Sequence, residues 1–253
     1  MASNRVSVLI TRPQAQAVSW RNAVEQQGWQ AVCFPTLAIK PLPLTPQDRD
    51  MVLNLDRYNG VIVISGNAAE LGLAVLSDYW PQWPIRQDWY AVGPATAEAL
   101  RHWHLQPQVP GQHDSDGLLG LAGLRDVTEK KFLILKGKGG RETLRQKLLA
   151  GGARVDELVL YERCIPESSL EPLLAWLAES ADKRYITISS GDGLKNLLVL
   201  AGEQGERLKR LPLVVVSERL AEYARQQGFA SVLVAPGASA EAVIAAIKQD
   251  EAN

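Results

Sequence analysis

Ile62-Val63-Ile64-Ser65-Gly66-Asn67-Ala68 is a run of β-branched residues that stops at a serine and a glycine. Val and Ile are stiff at χ1 and fit a pleated strand, whereas Ser before Gly opens a turn or caps a helix. The stretch reads as a buried strand that ends on a helix N-terminus. Its echo lies 124 residues further on, as Ile186-Thr187-Ile188-Ser189-Ser190-Gly191.

The same offset holds outward in both directions. Val8-Leu9-Ile10 falls on Phe132-Leu133-Ile134, Arg12 on Lys136, Trp20 and Val24 on Leu144 and Leu148, and Gly28 on Gly152. Ala91-Val92 falls on Val215-Val216, Ala97-Glu98 on Ala221-Glu222, and Ser115 on Ser239. One offset that serves strands, helices and their stops marks an internal duplication. Each copy opens with an apolar run and a helical pattern such as Ala17, Trp20, Val24, which a glycine ends. Strand–helix units follow at 60–76 and 90–101, and again at 184–200 and 213–227, and each copy closes on a helix with Ser115 or Ser239 as its cap. Strands alternating with helices predict parallel sheets covered on both faces. The fold class expected is α/β, as two similar doubly wound domains.

Two extended stretches interrupt the pattern at matching places. Prolines forbid helix in Phe34-Pro35-Thr36-Leu37-Ala38-Ile39-Lys40-Pro41, and Val159–Pro166 is again extended and ended by Pro. Paired, they form a two-stranded linker of residues 35–41 and 159–166. One domain is then discontinuous, 1–34 with 167–253, and the other is 42–158, with a cleft expected between them.

Composition narrows the partners. The chain of 253 residues is 46% apolar and 22% charged with a net charge of −1, enough for two ordinary cores and without a global field for nucleic acid or anionic membrane. Cys33 and Cys164 have no CxxC-type neighbour and read as free thiols in a reducing compartment. Val6–Ile10 is too short for a signal-peptide core, and no apolar run is long enough to span a membrane, so a cytoplasmic location is expected.

The polar loop Lys136-Gly137-Lys138-Gly139-Gly140-Arg141 lies between a strand and a helix, where glycines let backbone N–H groups approach an anion. It matches neither G-x-x-x-x-G-K-[ST] nor G-x-G-x-x-G, so it is an anion site or a plain turn. Arg12 occupies the equivalent place in the first copy. Ser65-Gly66-Asn67 and Ser189-Ser190-Gly191 sit at C-terminal strand ends, where open α/β sheets bind ligands and where serines also cap helices. Gly93-Pro94-Ala95-Thr96 forms a third such turn, with Thr96 as donor or cap, and Ser217 keeps one hydroxyl at its counterpart. His102, His104 and His113 have no counterparts in the second copy and show neither metal-ligand spacing nor a triad. Trp80, Trp83 and Trp89 read as packing in a proline-broken loop. Tyr161 lies in the second extended stretch, placed either to pack or to face a ligand.

The whole chain resembles uroporphyrinogen-III synthases. The similar pieces are Leu9-Ile10-Thr11-Arg12-Pro13, Val63-Ile64-Ser65-Gly66-Asn67-Ala68, Ala91-Val92-Gly93-Pro94-Ala95-Thr96-Ala97, Gly139-Gly140-Arg141 and Tyr161-Glu162-Arg163. The resemblance implies two α/β domains on a two-stranded linker and a reaction without cofactor. Hydroxymethylbilane, a linear tetrapyrrole carrying acetates and propionates, would lose its terminal hydroxyl, invert its last ring through a spiro intermediate and close. By that resemblance Tyr161 assists departure of the hydroxyl. Ser65, Asn67, Thr96, Ser189, Ser190, Ser217, Gly139 and Gly140 hold carboxylates, and Arg12, Lys136 and Arg141 add charge. The chain departs from the family pattern at Ile64, where many members have Ser or Thr, and at Ser217-Glu218-Arg219-Leu220, where a Gly-Pro-Thr-Thr-like turn is common. A monomer is expected, with at most transient contact with the preceding pathway enzyme. The competing expectation is a two-domain flavodoxin-like ligand-binding or sensor protein without catalysis.

Overall fold

The computed structural model describes residues 5–140, 142–167 and 169–252. The chain opens with β1 (Val6–Ile10), α1 (Gln14–Glu25), β2 (Gln30–Cys33) and β3 (Ala38–Pro41). Next come α2 (Pro46–Leu53), β4 (Gly60–Val63), α3 (Gly66–Ser77), β5 (Asp88–Ala91), α4 (Pro94–His102) and α5 (Ser115–Leu119). The middle of the chain holds β6 (Lys131–Gly137), α6 (Thr143–Ala150), β7 (Arg154–Cys164) and α7 (Glu171–Ala178). It ends with β8 (Lys183–Ile188), α8 (Gly191–Ala201), α9 (Gly205–Leu208), β9 (Leu213–Val215), α10 (Glu218–Gln226), β10 (Val232–Val234) and α11 (Ala240–Glu251).

These elements form two compact units, Met1–Ala38 with Cys164–Asn253, and Ile39–Arg163. The first holds a parallel sheet in the order β10-β9-β8-β1-β2. The second holds the order β3-β7-β6-β4-β5, parallel from β7 to β5. The fold is therefore α/β with parallel sheets.

Strand periodicity explains why each sheet needs helices on both faces. In the first unit Leu9, Ile186, Ile188, Leu213 and Val215 pack with α7, α8 and α10, while Val6, Val8, Ile10, Tyr185 and Val214 pack with α1 and α11. In the second, Val61, Val63, Leu133, Leu135 and Leu158 meet α2, α3 and α4, while Ile62, Phe132 and Ile134 meet α5 and α6. Each fully buried Leu, Ile or Val contributes roughly 1.5–3 kcal/mol. Ala17, Trp20 and Val24 form the buried stripe of α1, as their spacing predicts. Gly28 and Gly152 stop the helices before them with φ of +75° and +86°, a region that costs other L-residues strain.

Two expectations are corrected. Asp114, not Ser115, caps α5, because its carboxylate accepts from Gly117 N–H, and an ionised acceptor at the positive helix end outcompetes a hydroxyl. Trp89 stands in β5 rather than a loop, 4% exposed, with Trp83 edge-on to it at 5.7 Å. Trp83 also packs on Trp103, and Trp80 donates from Nε1 to the Val52 carbonyl, so the indoles are structural.

Candidate functional site

Parallel strands deliver all their C-terminal ends to one edge of a sheet, and loops there escape the ladder and are free to meet a ligand. In the Ile39–Arg163 unit that edge carries Ser65, Gly137 to Gly140 and Tyr161. Ser65 is the N-cap of α3, its Oγ accepting from Ala68 N–H at 3.1 Å. The same oxygen lies 3.0 Å from the Tyr161 hydroxyl. The Tyr161 ring is 2% exposed and lies in the register position opposite Gly137, where the β6–β7 ladder shifts. Lys138 N–H closes the loop onto the Tyr161 carbonyl at 2.7 Å.

Gly139 and Gly140 follow with φ of +76° and +93°, a left-handed pair that glycine adopts without a Cβ clash. Ser65, Gly137, Gly139, Gly140, Tyr161 and Arg163 line a cavity of about 70 Å³. Asn67 is half-buried in the first turn of α3. Arg141 lies outside the described residues.

Lys136 is placed differently from a free anion ligand. Only 4% exposed, it puts Nζ 2.9 Å from Glu157 Oε1 and 3.8 Å from Glu142 Oε1, so two carboxylates already answer its charge. Burial of a lone ammonium is costly, and this pairing is what lets the residue sit at the end of β6. Thr96 is the third residue of α4, with Gly93 as N-cap, and is 4% exposed. It caps nothing.

The other unit presents the counterpart edge. Ser190 caps α8 through Gly193 N–H at 3.0 Å, and Ser217 caps α10 through Leu220 N–H at 3.3 Å. Each hydroxyl accepts from its helix and retains one proton to donate. Ser189, Ser190 and Ser217 line a cavity of about 540 Å³. Arg12 follows β1 and stacks 4.4 Å over Trp20, donating to Gln16 Oε1 and to the Ala238 carbonyl. Its Nε is buried without a partner among the described residues, and burial pulls its pKa down. Arg12 and Ser189 meet at one small recess with Thr187. The structure thus gathers Ser65, Tyr161 and the glycines at one edge, and Arg12, Ser189, Ser190 and Ser217 at the other unit's edge.

Sequence reasoning passed over Arg219 and Tyr223, which line the 540 Å³ cavity. Their four-residue spacing on α10 was the available signal. Among the described residues His102 meets Glu98, at 3.9 Å, and His113 packs over Gly93. Among the described residues no helix is long and apolar enough to cross a membrane.

A family model described as "Uroporphyrinogen-III synthase HemD" matches residues 18–245. The uroporphyrinogen-III synthase of Escherichia coli K12 is 31% identical over 250 residues, covering 96% of this chain and 100% of that protein. That of Salmonella typhimurium LT2 is 30% identical over 253 residues with the same coverage. A mutant uroporphyrinogen III synthase from the extremely thermophilic bacterium Thermus thermophilus superposes with a TM-score of 0.63 at 17% identity, covering 98% of this chain and 100% of the other. That last likeness is one of fold.

Proposed function

The chain belongs to the uroporphyrinogen-III synthase family, cyclising lyases of haem biosynthesis, and on that premise we propose how its residues carry the reaction. The substrate is hydroxymethylbilane and the product uroporphyrinogen III, formed with inversion of the terminal ring and loss of water. The non-catalytic sensor reading is not favoured.

The observation that carries the mechanism is the 3.0 Å contact between Ser65 Oγ and the Tyr161 hydroxyl. Ser65 already accepts from Ala68 N–H at the positive end of α3. With Ser65 donating to the phenol oxygen, Tyr161 keeps its own proton for the departing hydroxyl of the substrate. Hydrogen bonds in such a chain polarise one another, so the helix end makes Tyr161 a better donor. A positioned general acid adds about 10²–10⁴-fold. Orientation contributes more in favourable cases, roughly 7–11 kcal/mol of barrier, and the choice of isomer rests on it.

Carboxylate arms are held by groups with a proton left to give. Ser189, Ser190 and Ser217 serve in one unit, and in the other Asn67, Thr96 and the N–H groups of Gly139 and Gly140, which line the small cavity without Cβ atoms to keep an anion away. Arg12 and Arg141 add positive charge. Lys136 acts indirectly, tying the start of the glycine loop to β7 through Glu157.

The duplication belongs to the same reading. Each unit joins the opening strands of one copy to the later strands of the other, β1-β2 with β8-β9 and β6-β7 with β4-β5. The parallel bridge between Tyr90 and Gln108 stands where β9 pairs with β10 in the other unit, one residue out of the register that the offset of 124 would give. The linker corresponds to β3 and the end of β7, where the chain passes between units at Ala38 and Arg163. The active form is taken to be a monomer working without cofactor in the cytoplasm. The test is the isomer formed from hydroxymethylbilane, read after oxidation to the porphyrin. The type III isomer is expected, and type I at the spontaneous rate would overturn the reading.

A further inference from the structure

The cavity of about 540 Å³ at the N-termini of α8 and α10 contains more chemistry than its serines. Arg219, Tyr223 and Asp192 also line it. Arg219 and Tyr223 are four residues apart on α10, so they share one helix face. Arg219 is exposed, and among the described residues its guanidinium has neither hydrogen bond nor ion pair.

Tyr223 is half-buried, and its hydroxyl is likewise unpartnered among the described residues. The buried tyrosines differ in this respect. Tyr58 donates to Asp156, Tyr90 to Asp88 and Tyr185 to Asp250, while Tyr161 meets Ser65. A half-buried phenol and a nearby guanidinium, both open to one cavity, are donors awaiting an acceptor.

We infer that Arg219 and Tyr223 form a carboxylate clamp that binds one acidic arm of the tetrapyrrole, a role that rests on the proposed function. The planar guanidinium matches a carboxylate, and Tyr223 supplies a second, neutral donor from the same helix face. The helix N-termini capped by Ser190 and Ser217 bias the cavity toward negative charge. Asp192 lines the same space and penalises a bare anion such as phosphate. In the open-chain substrate the pyrrole N–H groups face outward and donate to Asp192, which offsets that penalty; in a closed porphyrin they face the ring centre, so uroporphyrin binds with the penalty retained. The clamp is a binding element and takes no part in bond breaking.

The test titrates uroporphyrin III and its methyl ester, in which every carboxylate is neutralised, against tryptophan fluorescence. Arg219→Gln weakens uroporphyrin binding about tenfold, Arg219→Lys, which keeps the charge and loses the planar fork, recovers only part of the loss, and Tyr223→Phe weakens it about threefold. The ester binds wild type and variants alike. In turnover, Arg219→Gln raises KM by a similar factor and leaves kcat within about twofold, as expected for a contact equally strong in ground and transition states. Melting curves check that each variant is folded. Unchanged uroporphyrin affinity in Arg219→Gln overturns the clamp, as does an equal loss for acid and ester. A wild-type protein that forms no type III isomer sinks the proposed function instead, and the porphyrin titration still decides the clamp.

Discussion

Gly137 and Tyr161 stand opposite one another across the β6–β7 ladder, and a methyl group on Gly137 would lie 2.5 Å from Tyr161 Cζ. The glycine is the space that the tyrosine ring occupies, and the ring position in turn sets the 3.0 Å contact with Ser65. Gly137→Ala is therefore expected to destabilise the protein by about 1–3 kcal/mol through overpacking and to lower turnover by moving the phenol. Chemical denaturation of the single variants and of Gly137→Ala with Tyr161→Leu checks the cause. The double variant should lose less than the two singles together, because removing the ring removes the clash.

Ser65 and Ser190 offer a controlled pair. Both cap a helix, so replacing either by Ala costs about 1 kcal/mol of stability. Only Ser65 also touches Tyr161. Steady-state kinetics should show Ser65→Ala lowering kcat and Ser190→Ala mainly raising KM. Equal kinetic effects from the two would show that the Ser65–Tyr161 contact does no chemistry.

The acid stability of the Ile39–Arg163 unit should depend on Asp156. Burial alone would raise its pKa, but hydrogen bonds from Lys131 and Tyr58 outweigh it and leave the carboxyl below its usual range. A depressed folded-state pKa stabilises above the unfolded value, near 3.9, and that stability is lost as pH falls through the lower, folded one. The group is partly exposed, so the contribution is at most about 1 kcal/mol. Asp156→Asn should flatten the loss of stability below about pH 4. An unchanged acid limb in urea melts would contradict this.

Much of the α/β pattern is legible in the residues because burial imposes periods that sequence displays. The alternating Val8-Leu9-Ile10 and the stripe Ala17, Trp20, Val24 lie where those periods place them. Gly28 and Gly152 mark helix ends because their φ values suit glycine. What stays hidden depends on partners distant in sequence. Lys136 reads as a free cation until β6 and β7 pair and bring Glu157 to 2.9 Å. The choice of Asp114 over Ser115 as cap is a competition between neighbours that composition leaves open. Arg219 and Tyr223 look like ordinary helix-surface residues until the cavity beside α10 is seen.

The mechanism turns on Tyr161 donating to the departing hydroxyl while substrate positioning chooses the isomer. Tyr161→Phe keeps the buried ring against Gly137 and deletes only the hydroxyl facing Ser65, a loss of about 1 kcal/mol of stability. The deciding experiment follows turnover of hydroxymethylbilane and the isomer ratio of its product, with the melting temperature taken on the same preparation. Turnover should fall by roughly 10- to 100-fold, with product still mainly type III. Normal turnover with a lowered melting temperature would refute the mechanism and leave Tyr161 a packing residue.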